Sequence, residues 1–163
     1  MNHAFMEELL DMYRFPIGVQ MLIIEMMARW RIRLSYGAKK DVGEVRLENG
    51  IIQGDAFSPL SFVLMIDPLI KIMKKKLGKK GQILYYTDDL KVSMSSIATA
   101  QTIHFAVKKY AQSVGMVINN KKSAIQLSIE TPLPESLQEI PRLDEIMYKY
   151  LGFEMKKGRL TGR

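Results

Sequence analysis

The chain has 163 residues, 47% apolar and 25% charged, with a net charge of +7 and no cysteine. That length holds one domain with a real core, the composition is ordinary for a globular protein, so disorder is not the default, and the lack of thiols excludes disulfides and thiolate metal sites. The basic balance suits a polyanion partner, nucleic acid or an anionic membrane surface, and it also suits plain solubility.

In chain order, Phe5, Met6, Leu9, Leu10 and Tyr13 fall at helical spacing, with Asn2 as N-cap and Glu7 and Glu8 suiting a first turn. Phe15-Pro16 breaks that pattern. Residues 17–30 are nearly all apolar and Met-rich, so a second, buried helix is predicted, with Met21, Met26 and Met27 as core filler. Residues 31–35 and 43–48 alternate like the arms of a β-hairpin around the basic stretch YGAKKDV. Ser58-Pro59 opens a third helix, Ser as N-cap and Pro at N1, which Pro68 is expected to kink or restart. Lys74, Lys75, Lys76, Lys79 and Lys80 close it, a cluster that complements a helix C-terminus and equally fits a phosphate backbone.

Residues 82–86 and 90–94 are short β-runs separated by Thr87, Asp88 and Asp89, which reads as a tight hairpin. A helix over 98–114 ends at Gly115, residues 116–118 and 124–129 look strand-like, and 130–142 form a Pro-rich acidic loop. Residues 148–155 are a last strand candidate before a basic tail expected to fray. The mixture argues an α+β domain. The apolar run in 57–70 is interrupted by Asp67 and Pro68, and the acidic amphipathic start does not resemble a signal peptide. The reading is an intracellular soluble domain with no membrane partner, cytoplasm and nucleus left undivided.

Asp88 and Asp89 pose the chemical question. On a straight strand neighbours point to opposite faces, whereas at a hairpin turn both carboxylates can project from one end of the sheet. Two close carboxylates raise one another's pKa unless a cation sits between them. Mg²⁺ favours one or two protein carboxylates plus substrate phosphates, and in a basic protein that combination means phosphoryl transfer. Asp-Asp is also ordinary turn chemistry, and both readings stand on these two residues alone.

Three more stretches accompany YTDD: NGIIQGDAFSPLSF at 49–62, GMVINNKKS at 115–123 and YKYLGF at 148–153. In this order and spacing they resemble the reverse transcriptase family, particularly the polymerases of non-LTR retroelements, over residues 2–153. The resemblance implies a polymerase palm-like α+β fold, a short antiparallel sheet whose YTDD hairpin packs against helices. It implies a palm domain over 1–155 and a basic tail at 156–163. It also implies RNA-directed addition of deoxynucleotides to a primer, with RNA template, DNA primer and dNTP as partners and Mg²⁺ or Mn²⁺ as cofactor. Asp88 and Asp89 become the catalytic, metal-ligating pair, and Tyr86 packs at the primer end. Gln53 and Gly54 face the forming base pair, Asn119 and Lys122 match the fourth motif with the lysine near the triphosphate, and Tyr150, Leu151 and Gly152 form the primer grip. Asp55 matches a commonly acidic position and is given no chemistry.

The family takes a further aspartate from a strand before the first helix, and residues 2–16 resemble the helix just after it. The expectation is therefore an incomplete palm, without that strand or the fingers, and no polymerase activity for the chain by itself. Two alternatives accompany it: a non-catalytic palm remnant that binds nucleic acid through its lysines, and a subunit complementing a partner chain that carries the absent strand.

Overall fold

The helical spacing near the start becomes α1, His3–Met12, in the computed structural model of the chain, with the Asn2 side chain accepting the Ala4 N–H at 3.0 Å. Structure is described for residues 2–36, 40–128, 131–143, 146, 148–150, 153–156 and 159–160. Because α1 starts at His3, Glu7 and Glu8 fall beyond its first turn, which holds no acid. The helix ends in a Schellman motif: the Phe15 N–H donates to the Leu10 carbonyl at 3.0 Å and the Arg14 N–H to the Asp11 carbonyl at 2.8 Å, with Arg14 at φ 54°. Phe15 packs on the cluster containing Leu10, and Pro16 bars continuation.

The chain divides into two compact units, Met1–Asp67 with Val114–Met116, and Pro68–Ser113 with Val117–Arg163. In the first, α1 meets α2, Ile17–Ala28, over a core of Met6, Leu10, Ile23, Met27 and Trp30. The all-round burial expected of α2 does not occur. Ile23 and Met27, one turn apart, face inward, Met26 is half-buried, and Met21 and Leu22 are 65% and 68% exposed. A helix buries only the face its neighbours cover, and apolar sequence cannot supply a second layer. β1, Arg31–Tyr36, pairs antiparallel with β2, Lys40–Arg46, with an irregularity at Leu34/Ser35. The second arm thus begins three residues before its expected start at Gly43.

α3, Ser58–Leu77, is continuous through Pro68, so the helix does not restart there. Buried Met65, Leu69, Ile70, Met73 and Leu77 line it on both sides of the proline, and that burial offsets a penalty of about 3 kcal/mol. In the second unit, β3, Gly81–Tyr86, pairs antiparallel with β4, Asp89–Met94, and β4 contacts α4, Ile97–Ser113. Ser96 caps α4 by accepting the Thr99 N–H at 3.2 Å, and Gly115 follows its end at φ +71°. α4 buries Ile103, Ala106, Tyr110 and Ala111, while Val107 is half-buried.

Two expected strands are not formed. Residues 116–118 are irregular, and within 124–128 only Ile125 makes an isolated bridge, to Arg142. Strand propensity without a ladder partner gives no strand. The acidic loop is more ordered than its composition suggests. A 3₁₀ turn, Glu135–Leu137, contacts α4 and buries Leu137, and Ser136, Gln101, His104, Lys108 and Glu139 join the two elements. The last strand candidate is three short strands, β5 Tyr148–Tyr150, β6 Phe153–Lys156 and β7 Arg159–Leu160, in the order β5-β6-β7, so the tail expected to fray contributes the third. Among the described residues, four helices and small antiparallel sheets make the chain α+β.

Candidate nucleotidyl-transfer site

The YTDD segment closes a hairpin whose loop is two residues, not the expected three. Tyr86 pairs with Asp89, leaving Thr87 and Asp88 as the turn. Asp88 is therefore an exposed turn residue, while Asp89 is a half-buried strand residue next to it. Thr87 adopts φ 49°, the left-handed region, unusual for a β-branched side chain. Its hydroxyl lies 2.8 Å from the Tyr86 carbonyl and 3.0 Å from Asp88 Oδ1, so it donates to one or the other.

Register sorts the hairpin into two faces, because paired residues share a side. Gln82 with Ser93, Leu84 with Lys91 and Tyr86 with Asp89 form one face, which is exposed except at Asp89. On the other, Ile83 with Val92 is half-buried, as are Leu90 and Met94. Tyr86 and Asp89 are thereby brought side by side on open surface at the closed end of the hairpin.

In the other unit, Gln53 and Gly54 occupy an exposed turn closed by the Asp55 N–H donating to the Ile52 carbonyl at 3.3 Å. Gly54 at φ +88° supplies the positive torsion its position in such a turn requires. The expected cap, Ser58, does something else. Its hydroxyl donates to the Ile52 carbonyl at 2.6 Å, and Asp55 Oδ1 accepts the Phe57 N–H at 2.8 Å. Asp55, given no role by sequence reasoning, forms an Asx turn with Phe57 just before α3, and the Ser58 hydroxyl ties the start of α3 to the Ile52 carbonyl. The sequence signal was there: an Asp three residues before Ser at a helix start.

Asn119 has a local structural role. It caps a 3₁₀ turn, Asn120–Lys122, accepting the Lys122 N–H at 3.2 Å, and Lys122 is exposed. Tyr150 stands opposite Phe153 in the β5–β6 pair, while Leu151 and Gly152 lie outside the described residues.

Carboxylate oxygens are hard donors, so Asp88 and Asp89 suit a hard divalent cation in kind. Among the described residues no group of three or more His, Cys, Asp or Glu side chains comes together as a metal site.

Comparison with known families matches residues 4–155 to the model for reverse transcriptase (RNA-dependent DNA polymerase). No match was found among curated proteins. Members of the matched family bind nucleic acid and deoxynucleotides and generally use divalent metals. With the match running from α1 through β6 and including the hairpin with its two aspartates, the chain belongs to the reverse transcriptase family.

Proposed function

We propose that this domain belongs to a non-LTR retrotransposon and descends from a polymerase that copies RNA by adding deoxynucleotides to a DNA primer 3′-hydroxyl. The observation that carries this reading is the Asp88–Asp89 pair at the closed end of a two-residue hairpin, with Tyr86 on the same face as Asp89. Asp88 and Asp89 hold a divalent cation, Mg²⁺ or Mn²⁺, through their carboxylate oxygens. When bound, such a cation stabilises charge developing on the attacking and leaving oxygens.

The remaining roles follow the motifs. Tyr86 packs at the primer end, and the Gln53–Gly54 turn faces the nascent base pair, where a glycine allows close backbone approach. Lys122, presented by the Asn119-capped turn, neutralises triphosphate charge, and Tyr150, Leu151 and Gly152 grip the primer. A two-cation scheme takes more carboxylate than one hairpin carries. The 163-residue chain therefore binds primer–template without extending it, and a partner chain contributing a further carboxylate restores extension.

Primer extension on an RNA template with Mg²⁺ or Mn²⁺ tests the inactivity, and extension by the purified chain refutes it. Mn²⁺ binding followed by electron paramagnetic resonance tests the site. Affinity is expected to fall on the order of tenfold or more in D88N/D89N, and unchanged binding removes the hairpin from the proposal.

A further inference from the structure

We propose that Lys74, Lys75, Lys76, Lys79 and Lys80 form a phosphate-backbone site that holds the primer–template duplex about six nucleotides behind the Asp88–Asp89 end of the hairpin. The inference rests on the polymerase reading of that hairpin.

All five lysines are exposed, and among the described residues none is in an ion pair. A helix C-terminus carries roughly half a negative charge, which one lysine offsets. Five cations within seven residues exceed that requirement several-fold and repel one another. Lys79 and Lys80 also lie beyond the end of α3, in the 3₁₀ turn Gly78–Lys80. A polyanion relieves the repulsion; the macrodipole does not.

The cluster's position is tied to the hairpin. The Ser95 N–H donates to the Lys80 carbonyl at 3.3 Å, extending the β3–β4 ladder by one bond. A Cβ at Gly81 would run into the Ser93 carbonyl oxygen and lie 2.9 Å from Leu77 Cδ2, so α3 and the hairpin meet there with no room for another group. The lysines thus sit at the open end of the hairpin and the aspartates at the closed end. The intervening strand, at about 3.3 Å per residue, spans roughly 20 Å. One strand of a duplex advances about 3.4 Å per phosphate, so that span corresponds to about six phosphates.

The face between the two ends carries Gln82, Ser93, Leu84, Lys91 and Tyr86, with no acid before Asp89. Nucleic acid fits this surface better than a membrane. The apolar stripe of this part of α3, Leu69, Ile70, Met73 and Leu77, is buried, so among the described residues 69–80 Ile72 alone is an exposed large apolar side chain that this segment offers a bilayer.

The test uses the full chain and fluorescein-labelled RNA–DNA hybrids without divalent metal, read by anisotropy over a range of salt. K74Q/K75Q/K76Q/K79Q/K80Q keeps good helix formers, and circular dichroism checks its fold. Its salt slope for a hybrid of about ten base pairs is expected to fall by about three, while a hybrid of about four, too short to span the track, changes little. An unchanged slope overturns the inference, as does equal loss on the short hybrid, or retained hybrid binding with lost binding to phosphatidylserine vesicles.

Because the chain has no native cysteine, D88C and K79C can each carry a tethered iron chelate. D88C is expected to cut at the primer 3′ end and K79C about six nucleotides behind it. A D88C cut without the K79C cut sinks this inference alone. Absence of the D88C cut sinks the polymerase reading and the register with it.

Discussion

The Thr87 hydroxyl stands 3.0 Å from Asp88 Oδ1 and 2.8 Å from the Tyr86 carbonyl, at a residue whose φ of 49° is left-handed. One proton faces two acceptors, on a backbone conformation that a β-branched residue adopts at a cost of about 1–2 kcal/mol. Asn tolerates that region better. Thr87→Asn is therefore expected to stabilise the chain by about 1 kcal/mol in urea unfolding. A loss of stability would show that the hydroxyl outweighs the torsion.

The neighbouring carboxylates should show opposite effects on stability and binding. Asp88→Asn removes one of two adjacent like charges at an exposed turn, so stability rises or holds within about 0.5 kcal/mol. Mn²⁺ binding falls in the same variant. A clear loss of stability together with unchanged Mn²⁺ binding would mark Asp88 as a purely structural turn residue.

Gly54 separates torsion from space. A Cβ there meets nothing within 4 Å, yet φ is +88°. Gly54→Ala is expected to cost about 1 kcal/mol from the backbone alone. Circular dichroism melts read it, and a neutral result would mean that the turn relaxes to another torsion.

Met21 and Met27 lie on the same helix, 65% and 3% exposed. Met27→Ala is expected to destabilise by about 2–3 kcal/mol and Met21→Ala by less than about 0.5 kcal/mol. Equal costs would mean that the outer face of α2 is also covered in solution.

Glu139 joins the acidic loop to α4. The Lys108 ammonium at 3.1 Å, then the His104 ring at 3.2 Å, hold its carboxyl below its ordinary value of 4.5. A depressed carboxyl pKa stabilises the fold fully above the unfolded value, and that contribution is lost as pH falls through the folded one. The difference in urea midpoint between the parent chain and Glu139→Gln should be constant at neutral pH, small because the pair is exposed, and shrink below pH 4.5. A difference growing with acid would reverse the assigned sign.

Elements governed by local rules were legible in the residues alone. Asn2 capping α1, Pro16 ending it, α4 before Gly115 and the hairpin around Thr87 and Asp88 all follow from residue chemistry within a few positions. The motif order from Gln53 through Asp88 and Asp89 to Tyr150 also pointed to the family that the match then established.

Whatever depends on distant neighbours was settled by the folded chain. It left Met21 outside and Met27 inside, carried α3 through Pro68, denied residues 116–118 a strand partner, and folded the acidic loop onto α4 through Glu139. It also turned the Ser58 hydroxyl to the Ile52 carbonyl, gave Asp55 the Phe57 N–H, and placed Asp89 on a strand face beside Tyr86. Hydrophobic burial and strand pairing are satisfied by whichever surfaces come together, and a linear pattern states what each segment can bury without naming what will cover it.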